Sequence, residues 1–233
     1  ILVTGASYGI GKAVTYGLAK AGATVIMLAR TEDMLNEIYD DMLKQGLPEP
    51  VIVAFDLENA SEEAYFQLRD MIAKEFNHLD GLLLNASMLG PRSPMSNYNW
   101  QTWNKVMNIN LNSSFLLSRT LLPLMEEAPN DASILFTSSS VGRQSKAFWG
   151  AYGVSKFAIE GLMQTMACEL ENISNVRVNS INPGATRTTM RAEAYPAENP
   201  ASVKPAEALV EQYVYLFGPE SKHLNGQALN ADH

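Results

Sequence analysis

The run Thr4-Gly5-Ala6-Ser7-Tyr8-Gly9-Ile10-Gly11 has residue types and a spacing suited to holding a diphosphate. Glycines let the backbone turn tightly and approach a ligand closely, and a helix opening at Ile10 would offer free N–H groups and a partial positive charge. Part of the same run, Gly5-Ala6-Ser7-Tyr8-Gly9, also satisfies the G-x-S-x-G spacing of a nucleophile elbow, which would make Ser7 the nucleophile of a serine hydrolase. A hydrolase needs an acid and a histidine later in the chain. His223 is the best placed of the three histidines but has no acidic partner at a motif spacing, and an elbow leaves Gly11 unexplained. A dinucleotide cradle accounts for Gly5, Gly9 and Gly11 together; an ordinary strand-to-helix turn is the plainer alternative.

About 20 residues beyond such glycines, a dinucleotide site carries an acid for the ribose of NAD or a basic residue for the 2′-phosphate of NADP. Here the chain reads Met27-Leu28-Ala29-Arg30, with no acid. A planar guanidinium suits a phosphate, so NADP(H) is expected over NAD(H), with a plain exposed arginine as the other reading of Arg30. Further on, Tyr152 and Lys156 stand four apart, on one face of a helix. A nearby ammonium favours a phenolate, and lowering a tyrosine pKa by about 3 units takes roughly 4 kcal/mol. Alone, such a pair is more often a helix surface; Ser139, thirteen residues earlier, and the upstream glycine turn shift that balance.

These residues need a scaffold, and short apolar runs alternating with amphipathic stretches supply one. Strands are predicted at Ile1 to Val3, Thr24 to Leu28, Val51 to Phe55, Gly81 to Leu84, Ser133 to Thr137, Val176 to Ile181 and Gln227 to Leu229. Helical periodicity covers Ile10 to Ala21, Thr31 to Gln45, Ser61 to Phe76, Trp100 to Glu126, Ala151 to Asn172 and Pro205 to Phe217, with Pro123 expected to kink or shorten the fourth. The pattern predicts an α/β fold: a Rossmann-type, doubly wound, parallel seven-stranded sheet with helices on both faces, a three-layer sandwich in a single domain over 1–233. Two stretches lack a period, Ser87 to Asn99 and Thr186 to Lys204. Both follow strands, so both are expected at the carboxyl edge of the sheet, the second as a lid.

Composition narrows the partners. The formal charge of -8, without a run of lysines or arginines, disfavours nucleic acid and anionic membranes and leaves a small molecule as the ligand. A single cysteine, Cys168, permits no internal disulfide and suggests a reduced compartment, so the N-x-S triplets at Asn85, Asn112 and Asn172 are expected to be chance matches. Cys168 lies sixteen residues beyond Tyr152 on the same predicted helix and is expected in the core. No apolar run has the roughly 18 residues of a membrane span, no signal peptide precedes the first motif, and a cytoplasmic protein is expected. The histidines show no metal-ligand spacing, so no metal is expected. Because the chain opens inside a strand and ends at His233, the natural protein is expected to extend past both ends.

In order, the motifs TGASYGIG, Asp56-Leu57, Asn85-Ala86, NINL from Asn108 to Leu111, SSSVG from Ser138 to Gly142, YGVSK from Tyr152 to Lys156, and NPGATRT from Asn182 to Thr188 resemble the classical short-chain dehydrogenase/reductase family over nearly the whole chain. The stretch FTSSSVGRQ, with WGAY and SKFA after it, further resembles the enterobacterial YciK-type oxidoreductases. The resemblance implies an NAD(P)-dependent oxidoreductase that moves a hydride between nicotinamide and a carbonyl or alcohol carbon. It makes Tyr152 the general acid/base, Lys156 its activator, Ser139 the donor to the substrate oxygen, and Asn110 the holder of a relay water. Cofactor binding falls on Gly5, Ser7, Tyr8, Gly9, Ile10, Gly11, Arg30, Asp56, Leu57, Asn85, Ala86, Tyr152, Lys156, Pro183, Gly184, Thr186 and Thr188. A non-catalytic NADP-binding redox sensor is the alternative, against which stand the intact Asn110, Ser139, Tyr152 and Lys156.

Three positions depart from the family pattern: Leu84 and Ser87 where Asn and Gly are usual, Tyr8 where NADP-preferring members often carry a basic residue, and Thr186 in place of a branched apolar residue. The resemblance also implies a homodimer or homotetramer paired through the long helices. Ala151, Val154, Phe157, Ala158, Gly161, Leu162 and Thr165 form a small, apolar set suited to close packing. Ser87, Met88, Leu89, Gln144, Phe148, Trp149 and 189–196 are expected to shape a largely apolar substrate pocket, with Arg187 or Arg191 available to an acid.

Overall fold

The computed structural model describes residues 1–231. Seven strands form one parallel sheet: β1 (Leu2–Thr4), β2 (Ile26–Ala29), β3 (Val51–Ala54), β4 (Gly81–Leu84), β5 (Ala132–Thr137), β6 (Val176–Asn182) and a last strand, Ala228–Asn230, numbered β9 because β7 (Thr186–Arg187) and β8 (Lys204–Pro205) pair separately. The order across the sheet is β3-β2-β1-β4-β5-β6-β9. Each of the seven expected strands is present, with Gly81–Leu84 as expected and the ends of the others within two residues of the expected bounds.

Strands β1, β2 and β4 are almost wholly apolar because helices cover both faces of the sheet. Alternate residues divide between two cores. Leu2, Leu82, Ile134 and Phe136 pack with α3 (Glu62–Glu75), α5 (Ser113–Glu126) and α6 (Gly150–Leu170), while Val3, Leu83, Leu135 and Ile181 pack with α1 (Gly9–Lys20), α2 (Glu32–Lys44) and α8 (Val210–Phe217). The winding reverses between β1 and β4, and the crevice at such a switch point is where open α/β sheets bind ligands.

Several expectations need correction. The stretch 100–126 is α4 (Trp100–Met107), a π-helical turn over Asn108–Asn112, and α5, and the helix runs past Pro123 to Glu126 without being shortened. The departure from α geometry falls at Asn110 instead. The stretch 186–204 is not irregular: it holds β7, α7 (Thr189–Ala194) and a 3-10 turn before β8. A 3-10 turn over Ala206–Leu209 delays α8 to Val210. Cys168 is exposed, not core. On α6, Ala167 and Leu170 face the sheet, and the 100° step per residue turns Cys168 outward, where Val154 and Phe157 also lie.

Candidate active site

The glycine turn is tied to its neighbours by backbone geometry. Gly5 adopts φ +66°, and the N–H groups of Gly5 and Ala6 both donate to the Leu28 carbonyl at the end of β2. A Cβ on Gly11 would stand 2.1 Å from the Gly5 carbonyl oxygen, so α1 packs on the turn only because residue 11 is glycine. Asn85 and Ala86 sit against the turn from β4. Their N–H groups donate to Thr4 Oγ1 at 2.9 and 3.0 Å, and Thr4 Oγ1 donates to the Leu83 carbonyl at 3.1 Å. Helix α1 has no side-chain cap at Tyr8 and no acidic residue in its first turn, so its positive end is left uncompensated toward the crevice. This is a fit for a diphosphate: a cradle that a Cβ would fill and a row of free donors.

Across the crevice, Ser139 follows β5, and α6 supplies Tyr152 and Lys156. Gly142 brings them together: a Cβ there would lie 2.8 Å from the Lys156 backbone and Cβ, so the turn after Ser139 rests directly on α6. Burial pushes the Tyr152 hydroxyl above its ordinary pKa, and a hydrogen bond with Ser139 pulls it down. Lys156 Nζ lies 5.6 Å from the Tyr152 ring centroid and donates to the Thr137 carbonyl at 2.7 Å. Burial lowers the Lys156 pKa to about 8, and the negative charge of Glu160, one turn on, opposes that shift. Glu160 is buried and held by Arg143 Nε at 3.0 Å and Ser180 Oγ at 2.6 Å.

Asn110 is buried in the π-helical turn. Its Oδ1 accepts from Met88 N at 2.8 Å, and its Nδ2 donates to Met88 O and Ser155 Oγ, both at 3.0 Å. The carboxamide thus pins the segment after β4 to α6.

Gly5, Ser7, Tyr8, Gly9, Ile10, Asn85, Ala86, Ser139, Tyr152, Lys156, Pro183, Gly184, Thr186 and Thr188 all line one cavity of about 770 Å³. Gly11, Arg30, Asp56, Leu57 and Asn110 do not. Gly11 and Asn110 support the wall from behind. Arg30 is exposed directly after β2, and Asp56 lies past the neighbouring end of β3, where its carboxylate accepts from Glu58 N at 3.0 Å and Asn59 Nδ2 at 2.8 Å. Leu57 packs on the core beneath. Thr188 has two tasks, since it also caps α7 by accepting from Arg191 N at 3.1 Å. Among the described residues no histidine lines the cavity beside Ser7; His78 pairs with Asp80, and His233 lies outside the described residues.

Beside Tyr152 the wall is apolar: Leu89, Val141, Trp149 and Ala194 cluster with it, with Met190 and Tyr195 packed alongside. Of the expected pocket residues, Ser87, Leu89, Trp149, Thr189, Met190, Arg191, Ala194 and Tyr195 line the cavity, whereas Met88, Gln144, Phe148, Ala192, Glu193 and Pro196 do not. Arg191 is spent on Glu198 through contacts of 2.7 and 2.6 Å, and Arg187 is exposed. Where the family pattern lapses, Leu84 joins the core and the Ser87 hydroxyl is buried without a hydrogen-bond partner among the described residues. Glu160, Lys146 and Arg92 carry no motif in the sequence, and Gly142 stands there only as the last residue of SSSVG; Glu160 lies one helical turn beyond Lys156. No helix among the described residues is long and apolar enough to cross a membrane, and none of their His, Cys, Asp and Glu side chains group to hold a metal.

Comparison with known proteins accords with this geometry. The family model for short chain dehydrogenases matches residues 1–199. The chain is 44% identical over 231 residues to Uncharacterized oxidoreductase YciK of Escherichia coli strain K12, covering 99% of this chain and 90% of that one. A solved structure from Pseudomonas syringae superposes with a TM-score of 0.97 at 54% identity, covering 99% and 93% of the two chains. A second, from Shigella flexneri 2a strain 301 and complexed with NADP, gives 0.95 at 43% identity, covering 100% and 96%. Fold, site geometry and these matches agree: the chain belongs to the short-chain dehydrogenase family and is an oxidoreductase.

Proposed function

We propose that this enzyme uses NADP(H) and interconverts a carbonyl and an alcohol, with Tyr152 as the general acid/base. The observation that carries the reading is the convergence of Ser139, Tyr152 and Lys156 on the same cavity as the glycine turn. Arg30 favours the 2′-phosphorylated cofactor: it stands past β2 at the adenosine end and forms no salt bridge among the described residues. The NADP complex of the Shigella flexneri neighbour supports the same choice. Asp56 and Leu57 would border the adenine, Asn85 and Ala86 the adenosine side, and Pro183, Gly184, Thr186 and Thr188 the nicotinamide carboxamide.

When bound, the nicotinamide gives up a hydride in reduction and takes one in oxidation. Ser139 and Tyr152 donate hydrogen bonds to the substrate oxygen, where negative charge develops as the carbonyl is reduced. Tyr152 then delivers its proton to that oxygen, and in oxidation it removes it. Lys156, anchored on Thr137, sets a positive charge beside the tyrosine ring and favours the phenolate against burial. With both amide hydrogens taken by Met88 and Ser155, Asn110 is a positioning residue for the wall carrying Leu89, and any relay water would have to use its backbone.

A small, largely apolar ketone, aldehyde or alcohol suits the wall of Leu89, Val141, Trp149, Met190, Ala194 and Tyr195. We further propose a single-domain cytoplasmic protein that forms a homodimer or homotetramer. The exposed Trp100, Phe115, Val154 and Phe157, spread over α4, α5 and α6, support pairing through those helices.

Titration with NADPH and NADH, followed by turnover on a panel of ketones and aldehydes, tests the reading. Tighter NADPH binding with turnover is expected. Binding without turnover on any panel member would favour the redox sensor, and no binding would refute the proposal.

A further inference from the structure

Arg92, in the segment between β4 and α4, joins three distant parts of the chain at one guanidinium. Its Nη1 donates to the Ala194 carbonyl at 2.7 Å, across 102 residues of sequence. Its guanidinium carbon lies 4.9 Å from the Trp149 ring centroid and 5.4 Å from that of Tyr195. The two rings are 6.1 Å apart, and the Trp149 ring is 5.7 Å from Tyr152. A single cation therefore contacts the segment after β4, the entry to α6 and the end of α7.

The chemistry of this contact is directional. Ala194 ends α7, so its carbonyl belongs to the set a helix leaves unpaired, and a cation there also meets the negative end of the helix. Arg92 forms no salt bridge with a described carboxylate, so its charge is directed at the rings and the carbonyl. Arg191 also stacks on Tyr195, its guanidinium carbon 3.8 Å from the ring centroid, and is neutralised by Glu198. Trp149, Ala194 and Tyr195 all line the cavity beside Tyr152. Ser139 follows β5 and Tyr152 stands on α6, so α7 carries neither of them and meets Tyr152 only through the apolar packing of Ala194.

We propose that Arg92 is a specificity-determining positioning residue: it latches α7 to Trp149 and so fixes the aromatic wall against which the apolar body of the substrate packs. The inference rests on the carbonyl reductase reading for its kinetic consequence, but the latch itself is a property of the fold. A fixed wall rewards substrates broad enough to reach Trp149 and Tyr195 and is indifferent to the smallest ketones. Releasing the latch should weaken binding of the former and leave the chemical step intact.

The test uses Arg92→Met, which keeps the aliphatic length and removes charge and donor, and Arg92→Lys, which keeps the charge. With NADPH saturating, Arg92→Met is expected to raise KM for aryl or long-chain ketones about tenfold, the loss of two ring contacts and one hydrogen bond. Their kcat should stay within about twofold and KM for the smallest ketone should be unchanged, with Arg92→Lys in between. Amide hydrogen exchange over 188–198, measured with and without NADPH, should speed up in Arg92→Met and less in Arg92→Lys. Equal KM values across ketone sizes, or a fall in kcat for all substrates in step with melting temperature, would overturn the specificity role. If the wild type reduces no ketone, the reductase reading fails, and the exchange rates still decide the latch: unchanged rates over 188–198 would overturn it.

Discussion

Lys156 donates from Nζ to the carbonyl oxygen of Thr137 at 2.7 Å, and the hydroxyl of Thr137 donates to Asn85 Oδ1 at 3.3 Å. The last residue of β5 thus links α6 to the wall of the glycine turn. It also fixes where the ammonium sits, beside the Tyr152 ring on a buried side chain at the cavity wall. That location accounts for the lowered pKa of Lys156 and makes its protonation depend on Glu160.

The pH dependence follows from those directions. Lys156 titrates at about 8, so its positive charge is present below that pH and lost as the pH rises through it. Reduction rates (kcat/KM) should therefore hold below about pH 8 and fall above it. Glu160 raises the Lys156 pKa, so Glu160→Gln should move this limb to lower pH while leaving the Arg143 and Ser180 contacts largely satisfiable. A pH–rate profile of the variant that overlays the wild type would contradict the assignment.

Thr4 joins three backbone groups at the root of the site. Thr4→Val preserves its shape but strips the acceptor from Asn85 N and Ala86 N and the donor from Leu83 O. Leaving two part-buried N–H groups unpaired should cost about 1–2 kcal/mol of stability and weaken NADPH binding, because these residues back the glycine turn. Denaturant unfolding and NADPH titration of the variant check both effects.

Arg30 distinguishes the two nicotinamide cofactors. Arg30→Ala should weaken NADPH by about 10- to 100-fold, the worth of one charge-assisted phosphate contact, and leave NADH affinity unchanged. Equal losses for both cofactors would place the 2′-phosphate elsewhere.

Gly142→Ala tests how α6 is held to Ser139. The added methyl meets Lys156 backbone atoms at 2.8 Å, and these have no freedom to move aside within α6. The turn must back away, so the variant should lose about 1–3 kcal/mol of stability, and its turnover should fall further than its NADPH affinity. Retained stability and turnover would mean the turn relaxes without moving Ser139.

The sheet was legible because parallel strands covered on both faces read as unbroken apolar runs, as in Ile26–Ala29 and Gly81–Leu84. The glycine turn and the Ser139, Tyr152 and Lys156 set were legible because each motif is local and their order is informative. Other features depend on partners that sequence spacing does not reveal. The π-helical turn at Asn108–Asn112 turns a polar residue, Asn110, inward, where it bonds Met88 and Ser155, partners far along the chain. Arg92 finds a carbonyl and two rings far along the chain, none of which advertises a cation site. Cys168 was misplaced because α6 is apolar on both faces, with Met163 and Ala167 inward and Val154 and Phe157 outward, so its period does not say which side is the core.

The most direct test of the central claim is single-turnover reduction of a ketone substrate by NADPH-loaded Tyr152→Phe, with NADPH affinity measured in parallel. The hydroxyl that protonates the substrate oxygen is removed while the ring packing against Trp149 is kept. Affinity within a few-fold of wild type and a hydride-transfer rate lower by about 10²–10⁴ are predicted. A variant that binds NADPH and reduces the ketone at the wild-type rate would contradict the assignment of Tyr152 as the proton donor.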